Sequence, residues 1–250
     1  MKFPNRVVIV TGGANGIGKA AAILFAHEGA KVAIADTDVI NGRKTAARIV
    51  REGGKARFIE TDVSNSHDVN RMVAEVVSAW GRIDVLFNNA GVYARGDVVS
   101  FAEEEWNRVI RVNLTGVYLC SKAVIPVMKM GFAGVIINTS SSVGWCAAAR
   151  GIAAYAASKG GVTLLTKAMA NDHLRDHIRV NCICPGPTDT PLIRKSRTRE
   201  QLKDFVQALP SRKLLKPEEI ARAVLFLASD DASGMTGVAL PVDMGQSAHF

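Results

Sequence analysis

The chain has 250 residues, 48% hydrophobic and 22% charged, which is ordinary for a globular protein and excludes a disordered or collagen-like chain. This length fits one large domain and excludes a small scaffold held together by disulfides. The formal net charge is +8, and a basic surface can bind nucleic acid by neutralising its phosphates. The segment 194–216, with eight basic and two acidic residues, accounts for a net six of these charges. Because the charge is concentrated in one segment, we expect no nucleic-acid partner.

Short apolar runs alternate with longer stretches of helical periodicity along the chain. The apolar runs predict seven strands, at residues 7–10, 31–35, 56–59, 83–87, 135–138, 178–183 and 238–242. They are continuously apolar, as strands covered by helices on both faces must be, so a parallel sheet is predicted. The intervening stretches predict helices at 17–29, 39–52, 66–80, 103–130, 153–174 and 217–228.

This alternation predicts a fold of the α/β class. Right-handed strand–helix–strand crossovers place helices on both faces of the sheet, which gives a Rossmann-type doubly wound fold of three layers. No linker rich in Gly, Ser or Pro divides residues 1–250, so we predict one domain. Residues 187–216 interrupt the alternation just after a strand end. Long excursions of this kind are usually functional, and we predict an active-site lid there.

Two features bear on where the protein works. The apolar run near the N-terminus has four residues, which is shorter than the apolar core of a signal peptide. The four cysteines include no Cys-x-x-Cys pair, and we interpret them as reduced side chains of a cytoplasmic protein. Residues 130–149 lack charge but contain Asn138 and several serines, so we predict a strand and a loop there and no membrane span.

A glycine-rich turn follows the first predicted strand and opens the first predicted helix. It reads Thr11-Gly12-Gly13-Ala14-Asn15-Gly16-Ile17-Gly18. Glycine lets a backbone turn sharply and approach a pyrophosphate closely, and a helix N-terminus favours negative charge. We therefore predict that residues 1–250 form one dinucleotide-binding catalytic domain. A purely structural turn is the alternative.

Asp36 ends the second predicted strand, eighteen residues after Gly18. An acidic side chain there would accept hydrogen bonds from the ribose hydroxyls of an adenosine and would repel a 2′-phosphate. Asn15 offers no cation to compensate, so the sequence favours NAD over NADP. The alternative is a structural role in which Asp36 caps the turn at Thr37.

Tyr155 and Lys159 are four residues apart in a predicted helix and therefore share one face. An ammonium group near a phenol favours the phenolate, so it would lower the tyrosine pKa from its usual value of about 10 toward the range of general acid–base catalysis. Because this spacing is common by chance, the interpretation depends on the motifs around it.

Seven motifs resemble those of the short-chain dehydrogenase/reductase (SDR) family. They occur in the same order as in the family and extend over nearly the whole chain. They are Thr11-Gly12-x-x-x-Gly16-x-Gly18, Asp62-Val63, Asn88-Asn89-Ala90-Gly91, Asn113 between valine and Leu114-Thr115-Gly116, Asn138 before a serine cluster, Tyr155-x-x-x-Lys159, and Pro185-Gly186 with Thr190-Pro191-Leu192. The resemblance implies hydride transfer between an alcohol or ketone substrate and NAD, with Tyr155 as general acid/base.

The resemblance also implies roles for other residues. Lys159 would bond the nicotinamide ribose and lower the pKa of Tyr155, and Asn113 would hold Lys159 through a water. The implied cofactor site lines the strand ends and consists of Gly12, Asn15, Gly16, Ile17, Gly18, Asp36, Asp62, Val63, Asn89, Ala90, Gly91, Tyr155, Lys159, Pro185, Gly186, Thr188 and Thr190. No metal site is expected.

Two serines compete for the role of orienting the substrate oxygen. The family spacing of thirteen residues before the tyrosine selects Ser142, whereas counting seven forward from Gly134 selects Ser141. We prefer Ser142, because the serine must meet the same substrate oxygen as Tyr155. The predicted catalytic residues are therefore Asn113, Ser142, Tyr155 and Lys159.

Some features depart from the family pattern or leave alternatives open. Met244 stands where the family commonly has glycine, and we expect it to alter local packing or a pocket wall. Arg150 and the basic lid indicate an anionic substrate, with a solvated basic surface as the alternative. In the family that the chain resembles, the helices equivalent to 103–130 and to the one around Tyr155 form a subunit interface, so the resemblance implies a homotetramer or homodimer. The alternative is a monomer in which these helices only cover the sheet. A redox sensor or interaction module that binds a nucleotide without catalysis is the alternative function.

Overall fold

The computed structural model of the chain describes residues 1–146 and 150–249. Its strands are β1 (Val7–Thr11), β2 (Lys31–Asp36), β3 (Lys55–Glu60), β4 (Val85–Asn88), β5 (Gly134–Thr139), β6 (Ile178–Pro185) and β7 (Ala239–Val242). They form one sheet in the order β3-β2-β1-β4-β5-β6-β7, and every neighbouring pair is parallel. The predicted seven-stranded parallel sheet is confirmed.

Ten α-helices lie in the described part of the chain. They are α1 (Gly16–His27), α2 (Val39–Arg51), α3 (Ser66–Trp80), α4 (Glu103–Ile110), α5 (Gly116–Met130), α6 (Ser142–Trp145), α7 (Ala153–Asp172), α8 (Pro191–Lys195), α9 (Arg199–Gln207) and α10 (Pro217–Ala228). Within residues 1–146 and 150–249, no helix combines the length and the apolar character that crossing a membrane requires.

Helices cover both faces of the sheet because successive residues of a strand face opposite ways. Val8 and Val10 of β1 belong to one buried cluster with α1, α2 and α10. Val7 and Ile9 belong to a second cluster with α3, α5 and α7. The result is three layers with a core on each side of the sheet, which confirms the predicted doubly wound fold.

The stretch 103–130 is helical throughout, as predicted, but it is not a single regular α-helix. A π-helical turn over Arg111–Thr115 separates α4 from α5. Asn113 is fully buried in this turn, where its Oδ1 accepts a hydrogen bond from the Val92 backbone N–H at 2.8 Å and its Nδ2 donates to the Val92 carbonyl at 3.0 Å. Such turns often lie at functional sites, and hydrophobic periodicity does not reveal them because the flanking helices keep the same direction.

The strand order changes direction between β1 and β4, since β2 and β3 lie on one side and β5 to β7 on the other. In open parallel sheets, ligands bind in the crevice at the carboxyl ends of the strands at such a point. The glycine-rich turn follows β1 and residues 89–91 follow β4, so both segments meet at this crevice.

Candidate active site

A cleft of about 800 Å³ is lined by residues that follow β1 to β6. Its volume lies in the range of small-molecule and cofactor sites. The structure brings most of the predicted site residues together in its lining: Gly12, Asn15, Gly16, Ile17, Asp36, Asp62, Val63, Asn89, Ala90, Gly91, Ser142, Tyr155, Lys159, Pro185, Gly186, Thr188 and Thr190. Gly18 and Asn113 are not in the lining and support it from behind.

The glycine-rich turn packs too closely on its neighbours to carry side chains. Gly12 has a φ of +65°, and a Cβ there would lie 2.8 Å from the Cα of Ala90. A Cβ on Gly18 would lie 2.1 Å from the carbonyl oxygen of Gly12. Nδ2 of Asn89 donates to the carbonyl oxygens of Thr11 at 3.1 Å and Gly12 at 3.2 Å. The turn therefore presents bare backbone at the crevice, as close approach of a phosphate requires.

Asp36 lines the cleft beside this turn. Its Oδ2 accepts a hydrogen bond from the Ala14 N–H at 2.9 Å, and its Oδ1 accepts one from the Asp38 N–H at 2.9 Å. The structural role that the sequence left open is therefore present. A carboxylate has about four acceptor positions, so these two bonds leave acceptors for further partners. Asp38 adds a second carboxylate, because its Oδ2 accepts a hydrogen bond from Nδ2 of Asn15 at 3.0 Å.

The loop after β3 forms another part of the wall. Oδ1 of Asp62 accepts hydrogen bonds from the Ser64 backbone N–H at 2.8 Å and from its hydroxyl at 2.7 Å. Val63 is buried, and a Cβ on Gly116 would lie 2.8 Å from its Cγ2. Glycine at the start of α5 therefore allows Val63 to pack against the helix and fixes the position of this loop.

Tyr155 and Lys159 lie one turn apart on α7. Lys159 is buried, and its Nζ donates a hydrogen bond to the Thr139 carbonyl at 2.7 Å. The same Nζ lies 5.8 Å from the centroid of the Tyr155 ring. Tyr93 packs edge-on against Tyr155 with 5.1 Å between the ring centroids. The phenol therefore stands between an aromatic wall and a buried cation.

Burial governs the protonation of this pair. It raises the pKa of Tyr155 to about 12, although a hydrogen bond with Ser141 acts in the opposite direction. Burial also lowers the pKa of Lys159 to about 8. The effect of Lys159 on the Tyr155 pKa stays a prediction, since burial is the largest cause of the shift and sets its upward direction. At neutral pH Tyr155 is a neutral phenol and Lys159 an ammonium ion.

The preference for Ser142 over Ser141 stays a prediction, and the two side chains have different partners in the cleft. The Ser141 hydroxyl is hydrogen-bonded to Tyr155, whereas Oγ of Ser142 donates to Oε1 of Gln246 at 3.2 Å. Ser142 is the first residue of α6, and Ser141 is its extended N-cap. Counting from the start of β5 therefore selects the serine that acts on Tyr155, whereas counting back from Tyr155 selects the serine that is bonded to Gln246.

Asn113 holds α7 in place from behind the cleft. Its Nδ2 donates to Oγ of Ser158 at 3.1 Å, and that hydroxyl donates to the Tyr155 carbonyl at 2.7 Å. A Cβ on Gly91 would lie 3.4 Å from Oδ1 of Asn113 and 3.7 Å from Nζ of Lys159. These contacts converge at the start of α7. Sequence analysis missed the role of Ser158, which lies inside the Tyr-x-x-x-Lys motif.

Several cleft residues were not predicted individually, although four of them lie in the predicted lid at 187–216. They come from the loop after β4, from α4 and the π-helical turn, from the lid segment and from the C-terminal turn: Tyr93, Arg108, Arg111, Ile193, Ser196, Arg197, Phe205 and Gln246. No local motif marks them. Position after a strand end, which Gln246 shares with the glycine-rich turn, is the one signal that could have drawn attention to it.

The structure gives the basic residues little part in the cleft. Arg150 is exposed and lies outside the lining. Among residues 187–216, all of which are described, Arg197 is the one cation in the lining, and its guanidinium carbon lies 4.1 Å from the Phe205 ring centroid. Arg194 instead pairs with Asp189 at 2.6 Å. Most of the basic segment therefore matches the alternative of a solvated surface.

Both ends of the lid segment are tied together beside the cleft. The Asp189 N–H donates to the Leu215 carbonyl at 2.8 Å, and the Leu215 N–H donates to the Pro187 carbonyl at 2.9 Å. Met244, with a φ of +52°, lines a separate small cavity together with Pro187 and Leu215. Met244 therefore contributes to a pocket wall, but that pocket is not the main cleft.

A parallel sheet whose switch point joins a bare glycine turn to a tyrosine and a buried lysine one helical turn apart defines the class of dinucleotide-dependent oxidoreductases. A family model described as enoyl-(acyl carrier protein) reductase matches residues 12–247. Meso-2,3-butanediol dehydrogenase of Serratia marcescens is 40% identical over 99% of this chain and 97% of its own. Levodione reductase of Leifsonia aquatica is 36% identical over 100% of this chain and 97% of its own.

A solved structure agrees with these sequence matches. The crystal structure of levodione reductase has a TM-score of 0.94 and 34% identity to this chain, and the match covers 99% of this chain and 100% of the other. The chain belongs to the short-chain dehydrogenase/reductase family. It is therefore an oxidoreductase of a family that uses a nicotinamide cofactor, and the resemblance inferred from the motifs is confirmed.

Proposed function

We propose that the protein is an NAD-dependent dehydrogenase that interconverts a secondary alcohol and a ketone, with Tyr155 as general acid/base. The observation that carries this proposal is that one cleft joins the glycine-rich turn to Ser141, Tyr155 and Lys159. Similarity to a butanediol dehydrogenase and to levodione reductase supports alcohol and ketone chemistry. When bound, the nicotinamide would supply or accept the hydride.

The cleft residues fit a dinucleotide. Gly12 and Gly16, with φ of +65° and +52°, present backbone where side chains would block a pyrophosphate. Near the catalytic pair, the buried Oγ1 of Thr139 has no hydrogen-bond partner within the described residues, and Thr139 lines the cleft. An unsatisfied buried hydroxyl is costly in the free protein, so its position favours a polar ligand.

Charge in the cleft favours NAD over NADP. Asp36 and Asp38 both lie beside the glycine-rich turn. Hydrogen bonds from the side chain and backbone of Asn41 hold the pKa of Asp38 below its usual value, so this carboxylate is ionised at neutral pH. Ribose hydroxyls can donate to such carboxylates, whereas a 2′-phosphate would be repelled.

The chain supplies the proton chemistry. In ketone reduction, the neutral Tyr155 phenol would donate its proton to the substrate oxygen while the Ser141 hydroxyl donates a hydrogen bond to the same oxygen. Lys159, charged at neutral pH, would stabilise the phenolate that remains. In alcohol oxidation the proton returns to Tyr155, and because burial raises the pKa of this residue, oxidation should be favoured by high pH.

Cofactor choice is tested at Asp36. Asp36→Asn should raise the ratio of kcat/KM with NADP to kcat/KM with NAD by about tenfold or more, because a hydrogen bond to a charged group contributes about 1.5–3 kcal/mol. Glu60→Gln is the matched control, since Glu60 pairs with Asp36 across β2 and β3 but is exposed and outside the cleft. An unchanged ratio in Asp36→Asn would remove the support for NAD.

A measurement of turnover separates the proposed dehydrogenase from the alternative that the sequence left open, a redox sensor that binds a nucleotide without catalysis. Absorbance of the reduced nicotinamide, followed with a panel of secondary alcohols and ketones, separates the two candidates. Turnover of any member supports the enzyme. Tight NAD binding without turnover of any member supports the sensor. The contact between Ser141 and Tyr155 favours the enzyme, because a sensor does not need to move a proton.

A further inference from the structure

The C-terminal turn of the chain enters the cleft beside the catalytic serine. Gln246 lies shortly after β7 and lines the cleft. Its Oε1 accepts a hydrogen bond from Oγ of Ser142 at 3.2 Å. This contact joins two parts of the chain that are 104 residues apart, and the proton chemistry proposed for Tyr155 does not use it.

The turn that carries Gln246 is fixed by its own hydrogen bonds. Oδ1 of Asp243 accepts a bond from the Gly245 N–H at 3.0 Å, and Oδ2 accepts one from the Ser247 N–H at 2.9 Å. The Gln246 N–H donates to the Asp243 carbonyl at 3.1 Å. The backbone of Gln246 is thus held by Asp243 and its side chain by Ser142. A side chain held at both ends loses little further freedom when it binds a ligand.

Asp243 also ties the turn to the end of β6. A Cβ on Gly186 would lie 2.8 Å from the Cα of Asp243, and the Gly186 N–H donates to the Val242 carbonyl at 3.0 Å. Gly186 is itself part of the cleft lining. The position of Gln246 is therefore set by the same strand end that forms the wall of the cleft.

The side chains that meet at the C-terminal turn, Ser142 and Gln246, are neutral. With Oε1 bonded to Ser142, the carboxamide of Gln246 retains the N–H groups of Nε2 as donors. The arginines of the lining belong to other elements, and Arg108 is already paired with Glu105 at 2.8 Å. A neutral donor suits a hydroxyl or carbonyl oxygen, whereas a buried carboxylate or phosphate would require a cation.

We propose that Gln246, held by Ser142, determines specificity by binding a second, neutral oxygen on the carbon next to the reacting carbon. The two serines carry this inference, because Ser141 contacts Tyr155 and Ser142 contacts Gln246. Ser141, Ser142 and Gln246 all line the cleft, and the two serines are adjacent in the chain, so the two polar points belong to one wall of the cleft. The substrate class is a vicinal diol, hydroxyketone or diketone, and this inference rests on the proposed function.

The test compares substrates that differ by one hydroxyl. We would measure kcat/KM with NAD for 2,3-butanediol against 2-butanol, and for 1,2-cyclohexanediol against cyclohexanol. In each pair, the wild-type protein should have the higher kcat/KM for the diol. Gln246→Met keeps the side-chain length and removes the hydrogen bonds, so it should reduce that preference by about 3- to 10-fold, the effect of one neutral hydrogen bond.

The control is Ser247→Ala, which lies in the same turn but outside the cleft lining and should keep the diol preference. If Gln246→Met does not fold, Ser142→Ala removes the other half of the contact and should reduce the preference in the same direction. An unchanged preference in the folded variant, or a wild-type protein that shows no preference for diols, overturns this inference. Turnover of no alcohol or ketone of any kind would instead refute the proposed function.

Discussion

The cleft consists of two halves that the fold builds in different ways. In the nucleotide half, the contacts are between backbones, as where Gly18 approaches the carbonyl of Gly12. In the substrate half, side chains from separate segments meet, as where Ser142 bonds to Gln246. A glycine in close contact with another backbone tolerates almost no substitution. A contact between two side chains can instead be altered by replacing either residue. This difference implies that the fold fixes the nucleotide half, while the substrate half can change through its loops, among them the C-terminal turn to which we assign a role in specificity.

The largest effect is expected in the nucleotide half. Gly18→Ala should abolish measurable NAD binding, because its Cβ would lie 2.1 Å from the Gly12 carbonyl and α1 would have to shift. Such overpacking costs about 1–3 kcal/mol, so the melting temperature should fall by roughly 2–12 °C. Calorimetric titration with NAD and a thermal melt measure both effects.

Gly234→Ala is the control for this substitution, since a Cβ there meets no atom within 4 Å. It should bind NAD and melt like the wild type. If Gly18→Ala binds NAD with wild-type affinity, the close backbone contact does not control the nucleotide half, and the distinction between the halves fails.

A smaller and more local effect is expected at the two serines of the substrate half. With a mono-alcohol as substrate, Ser141→Ala should lower kcat on the order of 100-fold, as loss of a hydrogen bond to the reacting oxygen does in other enzymes. Ser142→Ala should lower it far less, because Ser142 bonds to Gln246 instead of Tyr155. Steady-state kinetics on the two variants measure both losses of kcat. A larger loss in Ser142→Ala than in Ser141→Ala would assign the catalytic role to Ser142.

The pH dependence should give the most gradual effect. Burial raises the pKa of Tyr155 to about 12, so below that pH the phenolate needed for alcohol oxidation grows about tenfold per pH unit. The pKa of Lys159 is lowered to about 8, and loss of its charge should slow the increase above that pH. Ketone reduction needs the neutral phenol, which is available throughout. Rate profiles from pH 7 to 10 measure both directions, and a flat oxidation profile would argue against Tyr155 as the base.

Sequence analysis was most successful where local pattern and structure are linked directly. The glycine turn before α1 and the strand end at Asp36 could be predicted because close backbone approach and strand burial each demand particular residue types. The seven strands and their parallel pairing followed from the same apolar runs. These features depend on neighbours in the chain, which the sequence displays.

The features that sequence analysis missed depend on tertiary contacts or on burial. The π-helical turn at Asn113 exists because its side chain bonds to Val92 in another loop. Gln246 bonds to Ser142 although the two residues are 104 positions apart in the chain, so only the tertiary fold reveals the contact. The pKa of Tyr155 depends on the water that folding removes, and the spacing from Lys159 carries no information about that loss.

The most direct test of the central claim is turnover by Tyr155→Phe. The variant keeps the ring that packs against Tyr93 and removes the hydroxyl that contacts Ser141. If Tyr155 transfers the proton, kcat should fall by about 10²- to 10⁴-fold while calorimetry still detects NAD binding. Turnover close to that of the wild type in a variant that binds NAD would contradict the account.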